Sequence, residues 1–236
     1  MANGKLYLIP VTLGGNETIA HVLPEYNHSI VHQFDTFIVE QVRTARRFLK
    51  AINHPVPIDK MVFYELNKHS NPDIVSEYLK PLTNGKNIGL LSEAGTPCVA
   101  DPGAVIVALA QQKNITVVPL TGPNSIILAL MASGFNGQHF LFHGYLPIES
   151  HQRNKKIKEF ENAVYRLNQT QIFIETPYRN DKLLDTLIKQ LKPETKICVV
   201  ADLTLPTEFI KTLPAKLWKS NRPQLHKRPV VFLVGK

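Results

Sequence analysis

Cysteine is nearly absent from this sequence: Cys98 and Cys198 are the only two in 236 residues. Two thiols cannot build a disulfide framework, nor a four-ligand zinc site unaided. Both stand among apolar residues that read as strands or strand ends, so inert thiols are expected. No apolar run approaches the roughly 18 residues of a membrane-spanning helix. The start, Met1-Ala2-Asn3-Gly4-Lys5, runs straight into the strand-like Leu6-Tyr7-Leu8-Ile9, without the charged, apolar and cleavage regions of a signal peptide. A soluble, cytoplasmic protein with no membrane partner is therefore expected. Two nucleotide fingerprints are missing too. No G-x-G-x-x-G follows a first strand and no Walker loop occurs, which argues against a dehydrogenase and a nucleotide hydrolase. His21, His28 and His32 offer only one same-face helical pair, so no metal is expected.

What is present is an ordinary globular composition, 44% apolar, with an uneven charge. The net charge is +8. Residues 1–150 hold 10 Lys and Arg against 11 Asp and Glu, whereas residues 151–236 hold 17 against 8. All the surplus positive charge thus lies in the last third. Such a basic region suits a polyanionic partner, because Lys and Arg displace counterions from phosphates. A solvated surface that maintains solubility is the alternative.

The first half alternates strand-like and helix-like stretches. Strands are expected at Leu6–Val11, Thr36–Glu40, Met61–Tyr64, Ile88–Leu91 and Ile115–Leu120. Helices are expected over 41–52, 71–80, 101–112 and 122–134, with Asn71-Pro72-Asp73 and Asp101-Pro102-Gly103 as starts. This order implies a mainly parallel sheet covered on both faces. In the second half, helices at Ser150–Leu167 and Arg179–Leu191 are joined by strands at Gln171–Glu175, Lys196–Val200, Glu208–Lys211 and Val230–Val234. Their spacing suggests a mixed sheet. Two α/β domains are expected, 1–120 and 121–236, the second with the basic surface.

The stretch most informative about chemistry runs from Leu90 to Gly103. A buried strand ends, the small-residue loop Ser92-Glu93-Ala94-Gly95-Thr96-Pro97 follows, and a helix begins. Ligands of open α/β sheets bind at such loops, outside the carboxyl ends of strands. Ala94 and Gly95 leave room for a flat adenosine to approach the backbone, and Glu93, Thr96 and the loop amides suit its polar edges. A plain strand-to-helix turn capped by Asp101 is the competing reading.

Taken in order, Leu6-Tyr7-Leu8-Ile9-Pro10, Glu40-Gln41-Val42-Arg43, the Ser92–Pro97 loop with Asp101-Pro102-Gly103, Val118-Pro119-Leu120-Thr121-Gly122-Pro123-Asn124-Ser125, and Phe142-His143-Gly144-Tyr145-Leu146-Pro147 resemble the tetrapyrrole methylase superfamily. The resemblance covers essentially the whole chain. Its nearest branch methylates the ribose 2′-oxygen of a cytidine in 16S ribosomal RNA. It implies a two-domain fold with a cleft for S-adenosyl-L-methionine between the domains, and a homodimer. The family's cofactor contacts fall on Pro10, Ala94, Gly95, Thr96, Val99, Asn124 and Ser125, with Glu175 and Leu203 as further carry-overs. The chain departs from the family pattern in several places. It has Val11-Thr12-Leu13-Gly14-Gly15 after the first strand, Gln41-Val42 where an Asp-Thr pair is usual, and Glu93 in place of Asp. Late in the chain, Ala201–Leu205 lacks a basic residue and Lys227-Arg228-Pro229 precedes the last strand.

A ribose hydroxyl must lose its proton during or after attack, and a nearby carboxylate can serve as general base. Glu40 is the first candidate, with Arg43 one helical turn on as a phosphate contact or as its ion-pair partner. Glu93 is the second. Arg153, Lys155, Lys156 and Lys158 crowd one helix start, against the helix dipole, while Lys219, Arg222, Lys227 and Arg228 crowd the tail; both read as RNA contacts. Three functions remain open here: ribosomal RNA or small-subunit methylation, methylation of a tetrapyrrole or other small molecule, and RNA binding without catalysis.

Overall fold

A computed structural model describes residues 3–66 and 72–236 of the chain. They form two compact units, 1–124 and 125–236.

In unit 1 the elements are β1 (Leu6–Ile9), α1 (Ile19–Val22), α2 (Glu25–Val31), β2 (Thr36–Val39), α3 (Val42–Ala51), β3 (Val62–Glu65), α4 (Pro72–Glu77), α5 (Lys80–Thr83), β4 (Ile88–Leu91), α6 (Ala104–Gln112) and β5 (Val117–Pro119). The five strands form one parallel sheet in the order β3-β2-β4-β1-β5. Strand alternation explains why it is covered on both sides. Phe37 and Val39 of β2 join one apolar cluster with Phe48 and Leu49 of α3, and Ile38 joins another with Ile106 and Ala110 of α6. Each of the larger of these side chains, fully buried, contributes about 1.5–3 kcal/mol. The expected α/β pattern holds, with local corrections. The expected 71–80 helix is α4 followed, after a turn, by α5, and Asn71 lies outside the described residues. The short α1 and α2 were not expected.

The strand order has a functional consequence. β1 connects toward β2 on one side, β4 connects toward β5 on the other, and β1 and β4 are hydrogen-bonded neighbours. The chain therefore leaves β1 and β4 in opposite directions at the carboxyl edge, the kind of switch point at which open α/β sheets bind ligands.

Unit 2 contains α7 (Ser125–Ser133), β6 (Phe140–Tyr145), α8 (Ser150–Leu167), β7 (Thr170–Ile174), α9 (Asn180–Gln190), β8 (Lys196–Ala201), β9 (Phe209–Pro214) and β10 (Val230–Gly235). Its sheet runs β6-β7-β10-β8-β9, with only the β6–β7 pair parallel. Ile157, Phe160 and Val164 of α8, together with Leu183, Leu184 and Leu187 of α9, bury one sheet face around Phe173, Phe232 and Trp218. The lone tryptophan is fully buried and its indole N–H donates to the Ile197 carbonyl at 3.1 Å. No helix among the described residues is long and apolar enough to cross a membrane.

Candidate functional site

Three loops meet at the carboxyl edge of the unit 1 sheet, after β4, β1 and β5. The Val11 amide donates to the Gly95 carbonyl at 3.0 Å, and the Gly95 amide donates to the Thr12 carbonyl at 3.2 Å. These two bonds tie the loops after β1 and β4 together, out of the Ile9–Leu91 register of the strands. The Ser92 hydroxyl also donates to the Gly95 carbonyl, at 2.6 Å. Gly95 has φ +69°, and a Cβ there would lie 2.8 Å from Leu13 Cδ2 and 2.9 Å from the Pro123 carbonyl oxygen. Only glycine suits such a position, because other residues pay for the left-handed backbone and have no room for a side chain. After β5, Gly122 packs so closely on Pro10 that a Cβ would sit 2.3 Å from its ring. Asn124 Nδ2 donates to Thr96 Oγ1 at 2.6 Å.

Pro10, Gly95, Thr96 and Asn124, which span 115 residues of sequence, are thereby gathered. Ala94 and Val99 are exposed beside them, whereas Pro10 and Gly95 are buried. Cys98 and Ala100 also have left-handed backbones, φ +69° and +59°. Strained residues of this kind cluster at ligand sites and persist only where the surroundings over-determine them. Cys98 thus sits in a turn rather than at a strand end. Burial pushes its thiol, and that of Cys198 in β8, up to about 11.

Asp101 needs correction as a helix cap. Its carboxylate accepts from the Gly103 amide at 2.6 Å, but the helix begins at Ala104 with Gly103 in the capping position. Burial raises its pKa, partly offset by hydrogen bonds from the Gly103 and Cys98 amides. Asp101 and Glu40 line a cavity of only about 10 Å³.

A far larger cavity, about 290 Å³, opens at the β1–β4 crevice and is lined by Thr12, Gly14, Gly15, Thr44, Arg47 and Glu93 among others. Thr44 Oγ1 lies 2.8 and 2.9 Å from the two carboxylate oxygens of Glu93 and donates its proton to that group. Glu93 is therefore presented into the cavity by a hydroxyl from α3. Arg43 is exposed in the first turn of the same helix and is not part of the cavity wall. Thr44 and Arg47 were missed in the sequence. Their i,i+3 spacing, on the face of the helix that follows β2, was the available signal.

The remaining expected residues belong to unit 2. Ser125 opens α7. Glu175 follows β7 and is buried, and its carboxylate accepts from Arg179 Nη2 at 2.5 Å and from the Thr176 amide at 2.6 Å. Leu203 is buried in the turn after β8, between Asp202 and Thr204, which have φ +52° and +71°. The basic clusters divide. Glu149 caps α8, accepting from the His151 and Gln152 amides at 2.9 and 2.6 Å, so the helix start is not an unrelieved run of positive charge. Lys156 pairs with Glu159, and Arg222 with Asp185. Arg228 is structural. Its Nε donates to Asp202 at 2.7 Å, and its other nitrogens hold the Gln224 and Thr207 carbonyls. Lys155, Lys158, Lys219 and Lys227 are exposed.

A family model described as Tetrapyrrole (Corrin/Porphyrin) Methylases matches residues 27–217. The chain is 31% identical to ribosomal RNA small subunit methyltransferase I of Vibrio cholerae, over 97% of this chain and 76% of that protein. It is 33% identical to the protein of the same name from Bacillus subtilis, over 94% and 72%. In structure it is similar to uroporphyrin-III C-methyl transferase from Thermus thermophilus complexed with S-adenyl homocysteine, with a TM-score of 0.60, 14% identity, and 99% and 98% of the two chains covered.

Proposed function

This chain belongs to the tetrapyrrole methylase family, and from that premise we propose that it methylates the ribose 2′-oxygen of a cytidine in small-subunit (16S) ribosomal RNA. The methyl donor is S-adenosyl-L-methionine. The observation that carries the reading is the Gly95 turn, clasped between the loops after β1 and β5.

The residues present fit the donor. Exposed Ala94 and Val99 offer small apolar atoms for an adenine face, and Thr96 and Asn124 offer polar atoms beside them. Pro10, Ala94, Gly95, Thr96, Val99 and Asn124 of unit 1 would hold it, and the family resemblance assigns Ser125, Glu175 and Leu203 to the donor as well. When bound, it supplies a methyl group on a sulfonium sulfur, open to in-line displacement. The protein's own part is positioning, proton removal and exclusion of water. Positioning alone supplies much of the acceleration when the reacting atoms are held about 3–3.5 Å apart.

For the proton, Glu93 is the better-placed base. It faces the cavity of about 290 Å³, whereas Glu40 borders one of about 10 Å³, room for no more than a water. Arg43 and Arg47 on α3 supply positive charge for the phosphates flanking the reacting ribose. A cytoplasmic homodimer completes the reading. Ile127 and Met131, apolar and exposed on α7, are consistent with a partner surface.

Calorimetry with S-adenosylhomocysteine tests the pocket, and transfer of labelled methyl to small ribosomal subunits or to a porphyrinoid tests the acceptor. Transfer to the porphyrinoid alone identifies a small-molecule enzyme. Binding without transfer to either identifies a non-catalytic relative.

A further inference from the structure

Unit 2 contains a pocket of whose lining residues only Glu175 is assigned above to the methyl donor. It is lined by Ile148, Arg153, Glu175, Arg179, Lys182 and Leu183 and encloses about 90 Å³. That volume exceeds the roughly 30 Å³ share of one water. It is well short of the roughly 300 Å³ at which pockets for whole small molecules begin. One compact group fits, and the rest of its molecule must lie outside.

The charge of the lining selects the sign of that group. Three cations face one carboxylate, and the carboxylate of Glu175 is already engaged by Arg179 at 2.5 Å and the Thr176 amide at 2.6 Å. Both guanidinium groups are fixed in advance. Arg179 Nε donates to Thr176 Oγ1 at 3.1 Å, and Arg153 Nη1 donates to the Ile148 carbonyl at 2.8 Å. Arg153 Nε is buried and has no hydrogen-bond partner among the described residues. A buried charged donor left unmatched is costly, and an anionic acceptor relieves it. The N-terminus of the eleven-residue α9 begins at the same place, with Arg179 in its capping position, and adds amide N–H groups of the same polarity. Ile148 and Leu183 give the pocket apolar walls, which strengthen a charge-assisted bond.

We propose that this pocket receives one phosphoryl group of the RNA backbone at a nucleotide other than the one methylated; this rests on the RNA reading above. Two observations favour a polynucleotide over an isolated metabolite. Lys182, Lys155 and Lys158 are exposed at the pocket rim or on the helix that carries Arg153. Tyr178, 71% exposed, immediately precedes Arg179 as an aromatic face for an unstacked base. The site thus orients the RNA and reads no sequence.

The test uses the full chain, a fluorescent fragment of small-subunit rRNA, and Lys182→Gln beside Lys113→Gln, an exposed control in unit 1. Lys182→Gln is expected to weaken RNA binding about 3–10-fold near 0.1 M salt and to lower the log–log salt slope by about one. Its affinity for S-adenosylhomocysteine is expected to stay unchanged. In the unsubstituted protein, the Arg153 Nε–H resonance is expected to move on adding the RNA. Equal slopes for the two variants overturn the proposal. So does an Arg153 resonance that moves with inorganic phosphate and not with RNA, which marks a site for the free ion. If the unsubstituted protein binds S-adenosylhomocysteine but no RNA, the substrate reading itself fails, and this proposal with it.

Discussion

Replacing Gly95 by alanine gives the sharpest test of the turn at the centre of the site. Two costs add. An L-residue in the left-handed region costs roughly 1–2 kcal/mol. The new methyl also falls 2.8 Å from Leu13 Cδ2 and 2.9 Å from the Pro123 carbonyl oxygen, and a backbone atom cannot swing away. Overpacking of that kind costs about 1–3 kcal/mol. The total is about 2–5 kcal/mol, taken from unit 1. Gly134 supplies the internal control. Its φ is +75°, close to that of Gly95, but nothing lies within 4 Å of where a methyl would stand, so Gly134→Ala should cost only about 1–2 kcal/mol. The difference between the variants isolates the close approach of the loops from backbone strain. Urea unfolding followed by far-ultraviolet circular dichroism reads the stabilities, and calorimetry with S-adenosylhomocysteine reads the pocket. Gly95→Ala should lose at least tenfold in affinity, because the methyl pushes the Pro123 carbonyl away from the turn. Gly134→Ala should bind normally. If the two variants are equally stable and Gly95→Ala binds as tightly as the parent, the clasped turn is not the cofactor site.

Further outcomes follow from other contacts. Glu93→Gln should cut methyl transfer to small subunits by about 10²–10⁴-fold with unchanged S-adenosylhomocysteine affinity, the usual size of a general-base contribution; a larger loss for Glu40→Gln would restore Glu40 to the role. Arg228→Met should destabilise unit 2 by about 3 kcal/mol, because Asp202 would be left buried without its partner. Lys227→Met should change stability by less than about 0.5 kcal/mol, as exposed substitutions do. The buried Trp218 reports both by fluorescence, and equal effects would show that Arg228 does not brace the turn. With pKa values pushed up to about 11, Cys98 and Cys198 hold roughly a hundredfold less thiolate at pH 8 than ordinary thiols. Alkylation of the folded protein should therefore be slow at pH 8 and rise about tenfold per pH unit toward pH 11. Rapid labelling of half-buried Cys98 at pH 8 would contradict this.

The elements most legible in the sequence were those whose signal is local. The buried runs of β2 and β4, and the apolar stripe Ala45, Phe48, Leu49 on α3, are written in the spacing of neighbouring residues. β6 was not expected. It is an edge strand, largely exposed, interrupted by Gly144 at φ +65° and by a register shift between Phe142 and Tyr145, so neither alternation nor continuous burial marks it. The basic run on α8 masks, in sequence, the Glu149 immediately before it, whose carboxylate relieves the helix start. Arg228 looked like any other tail cation, because Asp202 is 26 residues away.

The chain alone therefore determined the strand–helix alternation, the small-residue loop at Ala94-Gly95 and the excess of cations after residue 150, since each depends on residue type and short-range spacing. Which carboxylate faces a usable cavity, which cations are already paired, and how Pro10, Gly95 and Asn124 come together were decided only by the strand order β3-β2-β4-β1-β5 and by side-chain packing. Such contacts join residues far apart along the chain, and no local periodicity encodes them.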